Sequence, residues 1–176
     1  GRHNVTNALA ATACALAAGV APDAVAQGLR AFAPVAGRSR ALALTCQGRS
    51  VTVVDDCYNA NPDSMHAAIE VLAELPAPRW LVLGDMGEVG SQGPQFHAEA
   101  GAHARSRGIE RLLALGPLSA HAAQAFGPGA QHFDDKDALL AAVRAALPEA
   151  GSVLVKGSRF IDRKSTRLNS SHSRAS

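Results

Sequence analysis

Five short segments of the sequence carry polar or glycine residues where the surrounding pattern does not require them. Three of the five directly follow an apolar run of strand length. Ligands of α/β sheets bind at the carboxyl ends of the strands, so this placement predicts binding residues there. The segments are residues 3–7, 37–40, 55–62, 84–90 and 156–159.

Two neighbouring acids, Asp55 and Asp56, follow the apolar run VTVV and precede CYNANP. Two carboxylates at the end of a strand can bind the hydroxyl pair of a ribose, coordinate Mg²⁺ or act as a general base. Turn formation is the alternative interpretation, because Asn, Asp and Pro are common turn residues and Asn61-Pro62 suits the start of a helix without any ligand. The residue types alone leave both interpretations open.

The segment LGDMGEVG places glycines at positions 84, 87 and 90, which is every third residue. This spacing differs from the GxGxxG fingerprint of dinucleotide sites, so binding of NAD or FAD is not predicted. Asp85 and Glu88 of the same segment are candidates for holding a cationic amine, and a solvated loop is the alternative interpretation.

Lys156 and Arg159 follow the apolar run SVLV. Arg offers a bidentate fork and Lys a point charge, so these side chains can bind a carboxylate or phosphate; otherwise they are surface cations.

Asn4 and Asn7 lie three residues apart and therefore share one helix face. Their amides can hydrogen-bond a nucleotide, and the alternative is an N-cap asparagine with a solvated neighbour.

Motifs of several other catalytic classes are missing from the sequence. It has no GxSxG elbow of hydrolases, no GxxxxGK[ST] phosphate loop and no HExxH metal motif. The cysteines Cys14, Cys46 and Cys57 form no CxxC pair, so we expect small buried residues rather than disulfides or a zinc ribbon. His66 and His97 are expected to be hydrogen-bonded helix residues rather than ligands, and no metal site is predicted in this chain.

Hydrophobic periodicity predicts the elements that must position these residues. Two helices come first, over 4–18 and 22–32. The pattern then changes to short apolar strands that alternate with amphipathic helices, which predicts an α/β fold with a Rossmann-like, mainly parallel sheet and helices on both faces. Strands are predicted at 41–45, 51–54, 80–83, 112–115, 132–133 and 152–155, and helices at 62–75, 94–107, 118–126 and 135–147.

Composition indicates a globular chain with one unusual end. Of the 176 residues, 47% are hydrophobic, which suffices for one domain and part of a second. The last fourteen residues, 163–176, hold four of the 17 basic residues and no acid, so the rest of the chain has 13 basic and 15 acidic residues. A nucleic-acid partner is therefore not predicted, and the tail 163–176 is interpreted as disordered and non-native. No apolar run reaches bilayer length and no signal peptide is recognisable, so a cytoplasmic protein without a membrane span is expected.

The segments GRHNVTNALAA, GLRAFAPVAGR, VVDDCYNANPDSM, VLGDMGEVG with the following His97, and VLVKGSR resemble, in this order, the Mur ligases. The resemblance covers residues 1–161, and the spacing is most similar to that of members that add D-alanyl-D-alanine. It implies a remnant of the central P-loop, ATP-binding domain over 1–36 and a carboxy-terminal Mur ligase domain over 37–162. Cys57 departs from the family pattern, where a serine is expected.

The resemblance also implies roles for single residues. Arg38 would be catalytic, reaching the phosphates of ATP from an interdomain hinge, and Asp56 rather than Asp55 would bind the ribose. The residues implied for ATP binding are Asn4, Asn7, Arg38, Asp56, Tyr58 and Asn61, and those for the amino substrate are Asp85, Glu88, Lys156, Ser158 and Arg159. The phosphate loop and the Mg²⁺ ligands would lie outside this sequence, so the isolated chain is expected to be inactive.

The activity implied is that of an ATP-dependent carbon–nitrogen ligase of peptidoglycan synthesis. ATP would phosphorylate the terminal carboxylate of UDP-N-acetylmuramoyl-tripeptide, and the amine of D-Ala-D-Ala would attack the acyl phosphate. The enzyme would be a monomer. Two alternatives remain at this point: a non-catalytic Rossmann-like nucleotide-binding module, and another ligase of Mur type such as folylpolyglutamate synthase.

Overall fold

The computed structural model describes residues 2–33 and 36–158, with the backbone alone for residues 2–4. The chain divides after Val35 into two compact units, which are described separately. The proposed domain limits, 1–36 and 37–162, stay predictions, and the predicted tail 163–176 lies outside the described residues.

Over residues 2–33 the first unit contains two helices, α1 (Arg2–Ala17) and α2 (Pro22–Ala31). Both were predicted, and Pro22 opens α2 because a first-turn proline lacks only an N–H that the helix would leave unpaired. The apolar stripe of α1 is exposed, with Val5 at 60% and Leu9 at 65% of full accessibility. Packing within this unit therefore does not bury the stripe.

Over residues 36–158 the second unit forms a six-stranded sheet with helices around it, as the alternating pattern predicted. The strand order is β1-β2-β6-β3-β4-β5; β1 and β2 form an antiparallel hairpin, and all other neighbours are parallel. The described part of this unit also has two 3₁₀ turns, Gly90–Gln92 and Leu147–Glu149. The strands are β1 (Arg40–Cys46), β2 (Arg49–Asp56), β3 (Arg79–Gly84), β4 (Arg111–Leu115), β5 (Ala130–Phe133) and β6 (Ser152–Lys156), and the helices are α3 (Pro62–Ala73), α4 (Gly93–Ser106), α5 (Ser119–Phe126) and α6 (Lys136–Ala146).

Two hydrophobic clusters lie on opposite faces of this sheet. Leu81 and Leu83 of β3 belong to the cluster formed with α3, α4 and α5, whereas Trp80 and Val82 belong to the cluster formed with α6. Alternate residues of a strand point to opposite faces, so β3 is buried on both sides. This double burial explains its uninterrupted apolar sequence.

The prediction that all three cysteines are buried is wrong. Cys14 is exposed, while Cys46 and Cys57 are half-buried. Cys14 lies on α1, most of which is exposed, so its small apolar character did not decide its burial. No helix within the described ranges is both long and apolar enough to cross a bilayer.

Candidate functional site

The sheet order places the carboxyl ends of β2, β6 and β3 side by side. Each of these strands leads into one of the segments singled out in the sequence, namely 55–62, 156–159 and 84–90. The register pairs Asp56 with Lys156, and Lys156 with Leu83 on the other side. The structure therefore gathers most of the sequence-predicted site residues at one end of the sheet.

Asp56 is bound by groups of the chain itself. Its Oδ2 lies 2.6 Å from Lys156 Nζ, and its Oδ1 accepts hydrogen bonds from Ser39 N at 2.8 Å and Ser39 Oγ at 3.0 Å. Lys156 Nζ also donates to the carbonyl oxygen of Asn59 at 3.0 Å. The lysine side chain is 3% exposed and that of Asp56 is 15% exposed. Because both charges are largely removed from water, each serves as the countercharge of the other.

Arg38 lies against Tyr58 at the same end of the sheet. Its guanidinium carbon is 3.8 Å from the centroid of the tyrosine ring, the geometry of a cation–π contact. Gly37 fixes the approach, because its carbonyl accepts from Tyr58 N at 2.8 Å and its N–H donates to Asp55 Oδ2 at 3.1 Å. Hydrogen bonds, an ion pair and the cation–π contact thus connect these residues into one set. It is here named the Asp56 cluster: residues 37–39, Asp55, Asp56, Tyr58 and Lys156.

Asn61, which was also expected to line the nucleotide, is the N-cap of α3. Its Oδ1 accepts from Ser64 N at 2.8 Å, and Ser64 Oγ accepts from Asn61 N at 3.1 Å, so the two residues form a capping box. Pro62 follows as the first helical residue. The turn and helix-start interpretation therefore describes the side-chain contacts of Asn61, and its contact with a nucleotide stays a prediction.

Asp85, the first acid of the 84–90 segment, caps the N-terminus of α5, although it lies 34 residues before Ser119 in the sequence. Its Oδ1 accepts from Ser119 N at 2.8 Å and its Oδ2 from Leu118 N at 3.3 Å, where the unpaired N–H groups of the helix lie. The main chain of the segment is held by Ser158, whose N–H donates to Asp85 O and whose Oγ accepts from Gly87 N at 2.6 Å. Ser158 is therefore hydrogen-bonded to the 84–90 segment at two positions.

His97 on α4 supports the same segment from the core. It is completely buried, Nδ1 lies 2.7 Å from the carbonyl oxygen of Gly93, and Nε2 lies 2.9 Å from Met86 N. A carbonyl can only accept and a backbone N–H can only donate, so this geometry assigns the proton to Nδ1 of a neutral ring. The expectation that His97 is a hydrogen-bonded helix residue is confirmed.

An open cavity of about 410 Å³ lies beside this segment. Asp85, Gly87 and Ser158 line it, and they come from two of the sequence-predicted segments. The apolar side chains of Met86, Leu115, Pro117 and Leu118 form much of the rest of its wall. The volume and the mixture of apolar surface with a few polar groups are typical of a small-molecule site.

Sequence reasoning missed Gly116, Asp134 and Lys136, which also line the cavity. Gly116 directly follows β4, and the other two follow β5. The rule that ligands bind beyond the carboxyl ends of strands therefore applied to them as well. Gly116 is needed at its position, because it has a φ of +112° and an added Cβ would lie 2.6 Å from the Asp85 carboxylate.

The contacts described so far do not include four of the predicted site residues. Glu88 is exposed with a φ of +58°, and Asn7 is exposed on α1 of the first unit. The side chain of Asn4 and the whole of Arg159 lie outside the described residues. Their predicted roles stay predictions.

The arrangement offers two adjoining surfaces with different chemistry. The Asp56 cluster carries a guanidinium against an aromatic ring, which suits a planar or anionic group such as a phosphate. The cavity combines carboxylates, a lysine and a hydroxyl with an apolar wall, which suits a small molecule that carries both a positive and a negative charge.

Comparisons with known proteins agree with this geometry. The family described as "Mur ligase, glutamate ligase domain" matches residues 37–159. The UDP-N-acetylmuramoyl-tripeptide–D-alanyl-D-alanine ligase of Escherichia coli K12 is 42% identical over 161 residues, covering 90% of this chain and 35% of that protein. The ligase of the same name from Bacillus subtilis 168 is 37% identical over 166 residues, covering 90% and 36%.

A crystal structure of MurF from Acinetobacter baumannii superposes with a TM-score of 0.78 and 33% identity, covering 91% of this chain and 35% of that one. The chain thus spans about a third of the length of the curated relatives it matches. The family match includes all the strands and the segments at their carboxyl ends, up to position 159. This chain therefore belongs to the Mur ligase family.

Proposed function

We propose that the chain supplies part of an ATP-dependent ligase that joins D-alanyl-D-alanine to UDP-N-acetylmuramoyl-tripeptide in the synthesis of peptidoglycan precursors. The observation that carries the proposal is that relatives from E. coli, B. subtilis and Treponema pallidum, at 34–42% identity, all have this activity in their names. We propose in addition that the enzyme is a cytoplasmic monomer.

The cavity beside the 84–90 segment is the place we propose for the dipeptide. D-Ala-D-Ala is small, has two methyl groups and carries an ammonium and a carboxylate. Asp85 and Asp134 attract the ammonium, while Lys136 and Ser158 attract the carboxylate. Glu88, which shares a segment with Asp85, is proposed for the same substrate, and the assignment of Arg159 to this substrate stays a sequence-based prediction.

The sequence indicated that Lys156 binds a substrate, and we propose a different role for it. Its ammonium is buried against Asp56 and the Asn59 carbonyl and does not line the cavity. A substrate carboxylate would have to displace Asp56 to reach it. We therefore propose that Lys156 positions Asp56 and the chain around Ser39, and that it contacts no substrate.

The Asp56 cluster is the place we propose for the nucleotide. In this proposal Asp56 binds the ribose, and Tyr58 and Asn61 lie beside it; the part of Asn4 and Asn7 at the adenine rests on the family resemblance alone. Arg38 stacks on Tyr58 with its charge available to phosphoryl oxygens. A crystal structure of the MurF ligase of Thermotoga maritima contains ADP, and it shares this fold with a TM-score of 0.70 at 24% identity.

The proposed reaction has two steps. A carboxylate oxygen of the tripeptide attacks the γ-phosphorus of ATP, which forms an acyl phosphate and releases ADP. The neutral amine of D-Ala-D-Ala then attacks the acyl carbon, inorganic phosphate leaves with the electron pair of the C–O bond, and the nitrogen loses a proton as the amide forms. Arg38 stabilises the negative charge on the transferred phosphoryl group.

The described residues do not fit a Mg²⁺ site at this end of the sheet. The carboxylates of Asp55, Asp56 and Asp85 each accept hydrogen bonds from donors of the chain, and Asp56 is also paired with a lysine. Mg²⁺ demands several oxygen ligands in an octahedron. We propose that the Mg²⁺ ligands of this ligase lie in another part of the longer enzyme.

A chimera tests the function. Residues 1–158 would replace the matching third of the E. coli ligase, and product formation from UDP-N-acetylmuramoyl-tripeptide and ATP would be measured by mass spectrometry with D-Ala-D-Ala, L-Ala-L-Ala or L-glutamate as the amine. We expect the pentapeptide product with D-Ala-D-Ala, at a rate at least about tenfold above that with either other amine.

The unmodified E. coli ligase is the positive control, and circular dichroism confirms that the chimera is folded. A folded chimera that turns over L-glutamate better than D-Ala-D-Ala would favour a ligase of the folylpolyglutamate synthase type. A folded chimera that binds ATP but forms no product with any amine would favour the non-catalytic nucleotide-binding module.

A further inference from the structure

Two histidines and a glutamate converge on the outer side of α3 and α4. His66 and Glu70 are four residues apart on α3 and so share a face, and His103 lies in the last turn of α4. His103 Nε2 is 2.8 Å from Glu70 Oε1, and the rings of His66 and His103 stack with centroids 3.8 Å apart. One ligand atom from each residue lies within 4.8 Å of the other two.

We propose that the His66–Glu70–His103 cluster is a binding site for a divalent transition-metal ion of the zinc class. Two imidazole nitrogens and one carboxylate oxygen form the donor set of three-ligand zinc sites. Imidazole suits Zn²⁺, Co²⁺ and Ni²⁺, whereas Mg²⁺ and Ca²⁺ prefer oxygen ligands throughout. The inference is independent of the proposed ligase function, because none of these residues belongs to the Asp56 cluster or lines the cavity.

The geometry needs only side-chain movement to close around an ion. Ligand atoms of a tetrahedral zinc ion, with bonds of about 2.0–2.1 Å, lie roughly 3.4 Å apart. The 4.8 Å limit of the present cluster must therefore shrink by somewhat more than 1 Å. His66 is exposed and the side chain of Glu70 is 40% exposed, so both can rotate without disturbing the core.

Arg107 is the group that opposes the ion. Its Nε lies 2.9 Å from the same Glu70 oxygen that contacts His103. The Arg107 side chain is 44% exposed, so it can leave Glu70 and remain solvated when a divalent charge takes its place. Replacing Arg107 should therefore strengthen metal binding, a result that a merely structural cluster would not give.

Metal binding at this position would tie α3 to α4. Three ligands from the protein leave a fourth coordination position to water. An ion that binds the folded chain and not the unfolded one raises the melting temperature. The site would thus make the stability of this unit depend on the supply of transition metal.

The test is a titration of the full 176-residue chain, without an affinity tag, with ZnCl₂ by calorimetry and with CoCl₂ by visible absorption. We expect one Zn²⁺ to bind, Co²⁺ to give the intense bands of a tetrahedral ion, and Zn²⁺ to raise the melting temperature. MgCl₂ in large excess should not compete.

Variants assign the binding to this cluster. His66→Ala and His103→Ala should each weaken Zn²⁺ binding at least about tenfold, and Arg107→Ala should strengthen it. His121→Ala, an exposed histidine of α5, is the matched control and should change nothing. Because His66 is exposed, we expect the His66→Ala variant to fold. The proposal is overturned if no Zn²⁺ binds, if His66→Ala binds as tightly as the unsubstituted chain, or if His121→Ala causes the same loss.

Discussion

Lys156 Nζ lies 2.6 Å from Asp56 Oδ2, although the two residues are 100 positions apart in the sequence. The pair joins the ends of β2 and β6, and through Ser39 it also holds the chain that enters β1. An internal ion pair with further hydrogen bonds on both partners is a structural connection as well as a feature of the site.

Lys156→Met should lower the free energy of unfolding by about 3 kcal/mol, because it leaves the Asp56 carboxylate without a countercharge in a nearly closed environment. Urea denaturation measures the loss. Arg144→Met, at an exposed position of α6, is the control and should change stability by less than about 0.5 kcal/mol. The double variant Asp56→Asn/Lys156→Met should recover most of the loss, and a double variant as unstable as Lys156→Met would contradict this account.

Gly101→Ala should destabilise the second unit by roughly 3 kcal/mol or more, because an added Cβ would overlap the carbonyl group of Ala122 where α4 packs on α5. Thermal unfolding checks it. Gly28→Ala is a matched helical control, since an added Cβ at position 28 meets nothing within 4 Å, and it should stabilise α2 by up to about 1 kcal/mol. Equal effects of the two substitutions would show that helix propensity, not packing, decides both.

Particular residues show how far the sequence predicts the fold. The order of strands and helices in the second unit follows from periodicity, because runs such as 80–83 are apolar throughout and their neighbours are amphipathic. The position of β6 between β2 and β3 does not follow, because it depends on pairings between residues 100 and 73 positions apart.

The candidate site was predicted only in part, because its contacts also depend on the pairing of distant strands. Residue types identified Asp56, Lys156 and Asp85 as unusual, but not that Lys156 neutralises Asp56 or that Asp85 caps α5. Those contacts arise from the register of distant strands. The His66–Glu70–His103 cluster was missed because His103 lies 33 residues beyond Glu70, and only the packing of α4 on α3 brings them together.

His97→Ala should lower the free energy of unfolding by about 2–4 kcal/mol, because it leaves a cavity and removes the hydrogen-bond partners of Met86 N and the Gly93 carbonyl. The amides of the 84–90 segment should then exchange with solvent faster, which hydrogen exchange by NMR would detect. His121→Ala should affect neither quantity. Unchanged exchange at Met86 would mean that the histidine does not hold the segment.

Arg38→Ala in the E. coli chimera should lower kcat by about 10²–10³ with little change in the KM for D-Ala-D-Ala, because the guanidinium acts on charge that develops at the phosphoryl group. Steady-state phosphate release measures both constants. Arg144→Ala in the same chimera should leave them unchanged. A variant in which only the KM for ATP rises would make Arg38 a ground-state binding residue.

The isolated 176-residue chain should release no phosphate from ATP in the presence of the tripeptide precursor and D-Ala-D-Ala. Its described residues provide neither a phosphate loop nor a Mg²⁺ site at the Asp56 cluster. A coupled phosphate assay checks this against the chimera at equal concentration. Release that rises in proportion to chain concentration and disappears in Arg38→Ala would contradict the expectation.

The location of β6 in the middle of the sheet has a consequence for how this unit is made on the ribosome. β2 and β3 are not neighbours; β6 separates them and pairs with both. Until residues 152–156 leave the exit tunnel, the nascent chain can form the β1–β2 hairpin and the β3–β4–β5 layer only as two separate pieces with open edges. Exposed strand edges pair readily with other chains, so nascent or prematurely terminated products that stop before Ser152 are the species most prone to aggregate.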